Sequence, residues 1–173
     1  MRTFDINQDS LDFTFDYNLD ETNQLKDLFS SIRSDKSLCI DDLRRAALWK
    51  IDRVLTIPED LISDLSSLAK SDNVDIFGDV VKDIIFRLTA CDGVGFPMAS
   101  AMLKFLRPDI FPIIDVRAYR ALFGKKLYST QYSIDLYLEY VKEIYKIRDK
   151  LHISLDKVDE QLYLFDKEYN GKI

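Results

Sequence analysis

Hydrophobic residues recur at the spacing of amphipathic helices along most of the chain after residue 22. Two stripes lie in the first third of the chain, one formed by Leu25, Leu28, Phe29 and Ile32, and the other by Leu43, Ala47, Leu48, Ile51, Val54 and Leu55. A third, broader stripe is formed by Ile76, Phe77, Val80, Val81, Ile84, Ile85 and Leu88. This spacing puts apolar side chains on one face of a helix, so we expect a helix at each stripe.

Three positions carry residues that favour a helix N-terminus. Pro58 is followed by two acidic residues, and Ser133 and Ser154 each precede an apolar segment of helical period. Proline lacks only a donor that has no partner at a helix start, and serine accepts a hydrogen bond from the first turn. Residues 11–17 instead alternate apolar and polar positions, as a short strand or an extended arm does. We therefore predict an all-α fold of roughly seven to nine helices, in one compact domain over residues 1–173 with an N-terminal arm at 1–20.

Composition limits the compartment and the chemistry. No segment reaches the roughly 18 apolar residues of a membrane span, and the N-terminus lacks the apolar run of a signal peptide, so we expect a cytoplasmic protein with no membrane partner. We expect Cys39 and Cys91 to be buried thiols rather than a disulfide. These two cysteines and the single histidine, His152, cannot supply a metal site or a four-cysteine iron–sulfur cluster. We expect a monomer without a cofactor.

The charge distribution is uneven. A net charge of -6 argues against coating nucleic acid by bulk attraction. Residues 93–126, however, hold six basic and two acidic residues, which leaves -10 on the remainder. This imbalance predicts a locally basic surface that binds a phosphate backbone on one face of an acidic body.

The segment Cys91-Asp92-Gly93-Val94-Gly95-Phe96-Pro97 is the strongest candidate for chemistry. Its two glycines permit a tight turn and a close approach by another molecule, and Pro97 marks the start of a helix. Free amides at the positive end of that helix are suited to a phosphate oxygen. The same spacing also suits an αα-hairpin whose glycines serve only backbone geometry, and spacing alone does not separate the two interpretations.

A resemblance favours the first interpretation. The residues Leu88-Thr89-Ala90-Cys91-Asp92-Gly93-Val94-Gly95, Ala99-Ser100, Pro112-Ile113-Ile114-Asp115 and Arg120 resemble, in order and separation, the signature of the helix-hairpin-helix DNA glycosylase superfamily. The motif would occupy residues 83–106, and Asp115 follows Gly95 at the family's separation of 20 residues. The resemblance implies duplex DNA as the partner.

The resemblance also implies roles for particular residues. Gly93, Val94 and Gly95 would hold the DNA backbone beside a flipped-out nucleotide, and Asp115 would stabilise the sugar cation that forms as the base leaves and orient the attacking water. Asp115 equally suits the N-cap of a helix starting at Val116, and one side chain can serve both purposes.

One departure from the family pattern predicts a monofunctional enzyme. Members with strand-cleaving lyase activity carry a lysine two residues after the second hairpin glycine, where this chain has Pro97. Proline supplies no amine for a Schiff base, and Lys104 lies two helical turns further along. Phe96 also stands where the family often has a basic or polar residue.

Four basic residues near the motif are candidates for phosphate contact, or are simply solvated: Arg117, Arg120, Lys125 and Lys126. Aromatic candidates for stacking on an extruded base are Trp49, Tyr119, Tyr128 and Tyr132, although aromatics at helical spacing usually belong to a core. The sequence thus predicts a monofunctional DNA glycosylase of base-excision repair. The alternatives are a non-catalytic helix-hairpin-helix module that binds DNA or protein, and an interaction protein that has lost DNA binding.

Overall fold

The computed structural model describes residues 19–34, 36–51 and 54–172. Over these ranges the chain is helical and contains no strand, which confirms the predicted all-α fold. The helices are α1 (Leu19–Ser34), α2 (Ile40–Lys50), α3 (Glu59–Lys70), α4 (Asp79–Thr89), α5 (Phe96–Leu106), α6 (Val116–Phe123), α7 (Ile134–Leu151) and α8 (Leu155–Tyr169), with a short 3₁₀ turn at Ser129–Gln131. None of the helices in these ranges is long and apolar enough to cross a membrane.

The chain divides into two compact units, Met1–Val54 and Leu55–Ile173. Helices α1 and α2 belong to the first unit, and α3 to α8 belong to the second. The predicted arm at 1–20, with its alternating segment, lies outside the described residues except for Leu19 and Asp20, which begin α1. The single domain over 1–173 stays a prediction.

In the first unit, polar contacts connect α1 with α2. The Trp49 indole Nε1 donates to Thr22 Oγ1 at 2.9 Å, and Arg45 Nη2 donates to Glu21 Oε2 at 2.7 Å. The face of α2 that carries Arg45 and Trp49 therefore meets α1.

The burial of several apolar positions differs from the sequence prediction. Leu43 and Leu48 of α2 are exposed, because α2 meets α1 through a different face, which carries Arg45 and Trp49. Cys39, predicted to be a buried thiol, is exposed at the N-cap of α2, whereas Cys91 is half-buried. Val80 is also exposed, since it lies in the first turn of α4 at the edge of the buried arc and lines an open groove.

The second unit has the main hydrophobic core. Helix α4 contributes Val81, Ile84, Ile85 and Leu88, and these pack with residues of the neighbouring helices: Leu61, Leu68, Ala99, Leu103, Tyr137, Tyr140, Val141, Ile144, Leu155 and Val158. All three predicted helix starts are confirmed in this unit, and Ser154 is the N-cap of α8. Pro58 is the N-cap of α3, and Ser133 caps α7 by accepting a hydrogen bond from Leu136 N at 3.1 Å.

Candidate functional site

The turn that joins α4 to α5 lies in the second unit and contains the two candidate glycines. Gly93 has φ 76°, a left-handed conformation that favours glycine, and the buried Val94 anchors the turn by donating from its amide to Cys91 O at 3.1 Å. Gly95 is the exposed N-cap of α5 and has an ordinary φ of -88°. A Cβ built at Gly95 would meet only Pro97 Cδ, at 4.0 Å. Backbone geometry therefore requires glycine at 93, while nothing inside the protein requires it at 95.

The first turn of α5 presents backbone amides without a side-chain cap. Gly95 has no side chain to cap the helix, and Pro97 is at the second helical position. The Phe96 ring packs between Tyr132 and Tyr137, with ring centroids 6.0 and 6.1 Å away. Phe96 thus fixes the start of the helix to α7, while Gly95 and Pro97 face solvent.

Residues 112–114, which we call the anchored segment, run from the core to Asp115. Two tyrosines of α7 hold its carbonyls: Tyr137 Oη donates to Pro112 O and Tyr140 Oη donates to Ile113 O, each at 2.9 Å. Both tyrosines are buried, and the loss of solvation raises the pKa of each phenol well above its ordinary value, so both remain donors.

Two further side chains hold the amides of the anchored segment. Ile114 N donates to Ser100 Oγ of α5 at 3.2 Å, and Ile113 N donates to Asp159 Oδ2 of α8 at 2.9 Å. The segment is therefore hydrogen-bonded to three different helices immediately before Asp115. Ser100 also ties it to the helix that begins at the glycine turn.

Asp115 is the half-buried N-cap of α6. Its Oδ1 accepts hydrogen bonds from Arg117 N at 2.6 Å and Ala118 N at 2.8 Å. Within the described residues, no hydrogen bond is made to Oδ2. The side chain lines a cavity of about 350 Å³ together with Ile113, Asp159, Glu160, Tyr163 and Leu164. The predicted alternative, a helix cap, is thus confirmed, and one carboxylate oxygen remains without a protein donor in the described part of the chain.

Lys104 and Asp159 form a buried ion pair beside this cavity. Lys104 Nζ lies 2.9 and 3.0 Å from the two Asp159 oxygens and also donates to Asp156 O at 2.8 Å. Burial raises the pKa of Asp159, although the hydrogen bonds from Lys104 and Ile113 N act in the opposite direction. Glu160 lies at the exposed edge of the pair, 3.4 Å from Lys104 Nζ.

Two of the four predicted phosphate contacts, Arg117 and Arg120, are engaged by the fold. Both guanidinium groups bind the fully buried carboxylate of Asp166 in α8, Arg117 through Nη1 at 3.1 Å and Arg120 through Nε at 2.7 Å. Arg120 above all, with help from Asn170 and Arg117, lowers the pKa of Asp166 to about 2. These arginines therefore join α6 to α8, and their contact with phosphate stays a prediction.

The basic surface expected from the charge distribution is smaller than the sequence suggested. Lys104 is buried, and Arg107 is paired with Asp109 and the carbonyl of Ser71. With Arg117 and Arg120 held by Asp166, the exposed cations of residues 93–126 are Lys125 and Lys126. Lys125 Nζ lies 6.0 Å from the Phe123 ring centroid, and Lys126 Nζ lies 5.5 Å from that of Tyr128.

The aromatic candidates are dispersed. Tyr119 is buried in the core and Tyr128 is exposed, while Tyr132 packs on Phe96. Trp49 belongs to the first unit and donates to Thr22. The cavity beside Asp115 is instead lined by Tyr163, an aromatic residue that the sequence analysis did not select.

Two carboxylates that the sequence analysis missed carried a detectable signal. Asp159 and Asp166 stand on the apolar stripe of α8, at helical spacing with Leu155 and Leu162. A charged residue on the buried face of an amphipathic helix is expected to have a buried partner. That pattern could have predicted buried pairs, although not their identity.

Comparisons with protein-family models, with curated proteins and with solved structures found no match to the chain. The resemblance to the glycosylase superfamily therefore depends on the motif residues alone.

Proposed function

We propose that this protein is a monofunctional DNA glycosylase, which binds duplex DNA at the α4–α5 turn and uses Asp115 to hydrolyse the N-glycosidic bond of a damaged or mispaired base. The observation that carries the proposal is the hydrogen bond from Ile114 N to Ser100 Oγ. It connects the helix that begins at the glycine turn with the segment that ends in Asp115. A backbone-binding turn and a carboxylate held in one rigid frame are what excision of a base requires.

The turn supplies the DNA contact in this proposal. Gly95 is exposed, and a Cβ there would extend into open space. A phosphate oxygen can therefore approach the amides at the positive end of α5 without steric hindrance. Lys125 and Lys126, the exposed cations that follow α6, add attraction that does not depend on base sequence.

Asp115 supplies the chemistry in this proposal. As the bond between C1′ and the base nitrogen breaks, the electron pair leaves with the base and positive charge develops on the sugar. The Asp115 carboxylate stabilises that cation, and Oδ2 orients a water whose oxygen attacks C1′. A proton from that water balances the departing base, so the products are a free base and an abasic sugar. The two amide donors on Oδ1 keep the carboxylate in place.

The surroundings of Lys104, the first lysine after the glycine turn, support a monofunctional reaction. Schiff-base formation needs an accessible neutral amine. Lys104 Nζ is buried and bonded to Asp159 and Asp156, so it is not presented to a sugar. Residue 97, where a lyase would carry lysine, is proline.

A panel of duplexes with different damaged or mispaired bases tests the proposal. After incubation, alkali reveals abasic sites, and omission of alkali shows whether the strand was cut directly. The wild-type protein should release a base from at least one duplex and leave the strand intact before alkali, and borohydride should trap no covalent complex.

Asp115→Asn assigns the chemistry, because asparagine also caps helices and removes only the charge. Base release should fall by roughly 100-fold or more while DNA affinity changes little. Asp135→Asn, in the exposed first turn of α7, is the matched control and should keep full activity. Full activity in Asp115→Asn would leave Asp115 only its role as a helix cap.

A second candidate function is a non-catalytic DNA-binding module. The capping bonds of Asp115 favour it, since they account for that aspartate without any reaction. Salt-dependent binding to DNA without base release from any duplex would support this candidate. Loss of DNA binding altogether would instead favour a protein-interaction role. In all three cases we propose a cytoplasmic monomer.

A further inference from the structure

The buried pair of Lys104 and Asp159 has no part in the chemistry proposed above, yet it lies beside Asp115. Asp159 lines the same cavity as Asp115 and accepts the Ile113 amide two residues before it. We propose that Asp159 is a positioning residue for Asp115, held by Lys104 and acting through the anchored segment. The effect on base release rests on the proposed function, whereas the positioning itself does not.

The contacts make Asp159 the junction of three elements. Its Oδ2 accepts hydrogen bonds from Lys104 Nζ of α5 at 3.0 Å and from Ile113 N of the anchored segment at 2.9 Å. Its Oδ1 accepts a hydrogen bond from Lys104 Nζ at 2.9 Å. Asp159 itself lies in α8, so a shift of any one element changes the hydrogen bond to Ile113.

Stability alone does not explain an ion pair at this position. Placing two charges where their side chains are 7% and 4% exposed costs solvation, and well-packed apolar residues often stabilise a fold as well or better. What an apolar pair cannot do is accept the Ile113 N–H. Without Asp159 this amide loses its acceptor, and the segment that carries Asp115 loses one of its two amide anchors.

The position of Asp115 is sensitive to the anchored segment because Asp115 follows that segment directly in the chain. The peptide unit between Ile114 and Asp115 connects the anchored segment directly with the carboxylate that binds Arg117 N and Ala118 N. Displacement of a reacting group by about 1 Å can slow a reaction by about 100-fold. A positioning role therefore predicts a loss in the rate of base release without a matching loss in DNA affinity.

The test compares two double variants in the full chain. Lys104→Met/Asp159→Leu removes both charges and the acceptor for Ile113 while keeping similar volume. Lys104→Gln/Asp159→Asn also removes both charges but keeps an amide oxygen as acceptor. Glu143→Gln/Lys146→Gln, which removes a largely exposed pair on α7, is the matched control.

The first readout needs no enzymatic activity. In Lys104→Met/Asp159→Leu, hydrogen exchange at the Arg117 and Ala118 amides should quicken by about 10-fold or more, because the cap on Asp115 opens more often. The Leu136 amide, capped by Ser133 on α7, should exchange at the wild-type rate. The amide-preserving variant and the exposed-pair control should both match the wild type at all three amides.

The second readout is base release in a single turnover on a duplex that the wild type processes. Lys104→Met/Asp159→Leu should lower the rate about 10-fold or more and change the Kd for DNA by less than about twofold. Lys104→Gln/Asp159→Asn should restore most of the rate.

Unchanged exchange at Arg117 and Ala118 in the apolar variant would overturn the proposal. If the apolar variant does not fold, the test uses Lys104→Gln/Asp159→Asn. Faster exchange at the Arg117 and Ala118 amides of this variant, while the Ile113 amide stays protected, would also overturn the proposal. Failure of the proposed function is a separate result, namely no base release by the wild type on any duplex, and the exchange measurement still decides the positioning role.

Discussion

Replacement of Asp166 by asparagine tests whether the fold engages Arg117 and Arg120. Both arginines bind the buried Asp166 carboxylate, and Arg120 above all holds the pKa of Asp166 at about 2, against an ordinary value of 3.8. One pKa unit corresponds to about 1.4 kcal/mol. The shift therefore represents about 2 kcal/mol of free energy of unfolding at neutral pH.

The pH dependence follows from the direction of this shift. Because the pKa of Asp166 is lower in the folded protein, the unfolded chain takes up the proton first as the pH falls. The stabilisation is complete above about pH 4 and is lost as the pH falls through about 2. Asp166→Asn cannot ionise, so its deficit of about 2 kcal/mol at neutral pH should shrink towards zero near pH 2.

Urea denaturation, followed by helical circular dichroism at several values between about pH 2 and pH 7, measures this difference. Asp135→Asn, an exposed substitution in α7, is the control and should differ little from the wild type at any pH. Equal stability of Asp166→Asn and wild type at neutral pH, or a deficit that does not change with pH, would refute the reasoning. Arg117 and Arg120 would then be free to bind phosphate.

Three further predictions concern the turn and the charges around it. Lys125→Gln/Lys126→Gln should leave the free energy of unfolding unchanged. It should reduce the slope of log Kd for DNA against log salt concentration by up to about 2, measured by fluorescence anisotropy. An unchanged slope would place the phosphate contacts elsewhere. Gly93→Ala should lower the free energy of unfolding by about 1 kcal/mol, measured by thermal unfolding, because Gly93 has a positive φ. Gly95→Ala should leave the stability unchanged and weaken DNA binding. Equal destabilisation by the two variants would contradict the assignment of the turn. Lys104→Ala should lower the free energy of unfolding by about 3 kcal/mol in urea denaturation, because Asp159 is left buried without its cation. A decrease of less than about 1 kcal/mol would show that the pair is not effectively buried.

The helices and their starts were predictable because local interactions determine them. The spacing of Ile84, Ile85 and Leu88 identified the buried face of α4, and Pro58 and Ser133 marked helix starts that the structure has at those positions. Val80 belongs to the same apolar stripe and was expected to be buried, but it is exposed. A hydrophobic pattern describes which positions can face a core, whereas the neighbours present at the end of a helix determine which of them are covered.

The partners of the charged residues were not predictable in the same way. Arg120 and Asp166 are 46 residues apart, and Lys104 and Asp159 are 55 apart. Their pairing depends on how α6 and α5 pack against α8, which no local pattern encodes. The count of basic residues in 93–126 therefore overestimated the exposed positive charge. The acidic residues on the apolar stripe of α8 indicated buried partners in general, and only the packing of the helices identifies them.

Helix capping and the proposed catalysis would make different demands on the Asp115 carboxylate. The cap uses Oδ1 alone, through the Arg117 and Ala118 amides, while Oδ2 makes no hydrogen bond within the described residues and the side chain lines the cavity with Asp159 and Tyr163. A cap needs an acceptor oxygen, which asparagine also has, whereas stabilisation of a sugar cation needs the negative charge. The four side chains that hold the preceding segment pair backbone groups of a largely buried stretch, and such groups need partners whether Asp115 is a cap or a catalytic residue. The different demands on charge therefore distinguish the two roles: Asp115→Asn keeps a capping oxygen, so a fall in base release would assign the proposed catalysis to the charge.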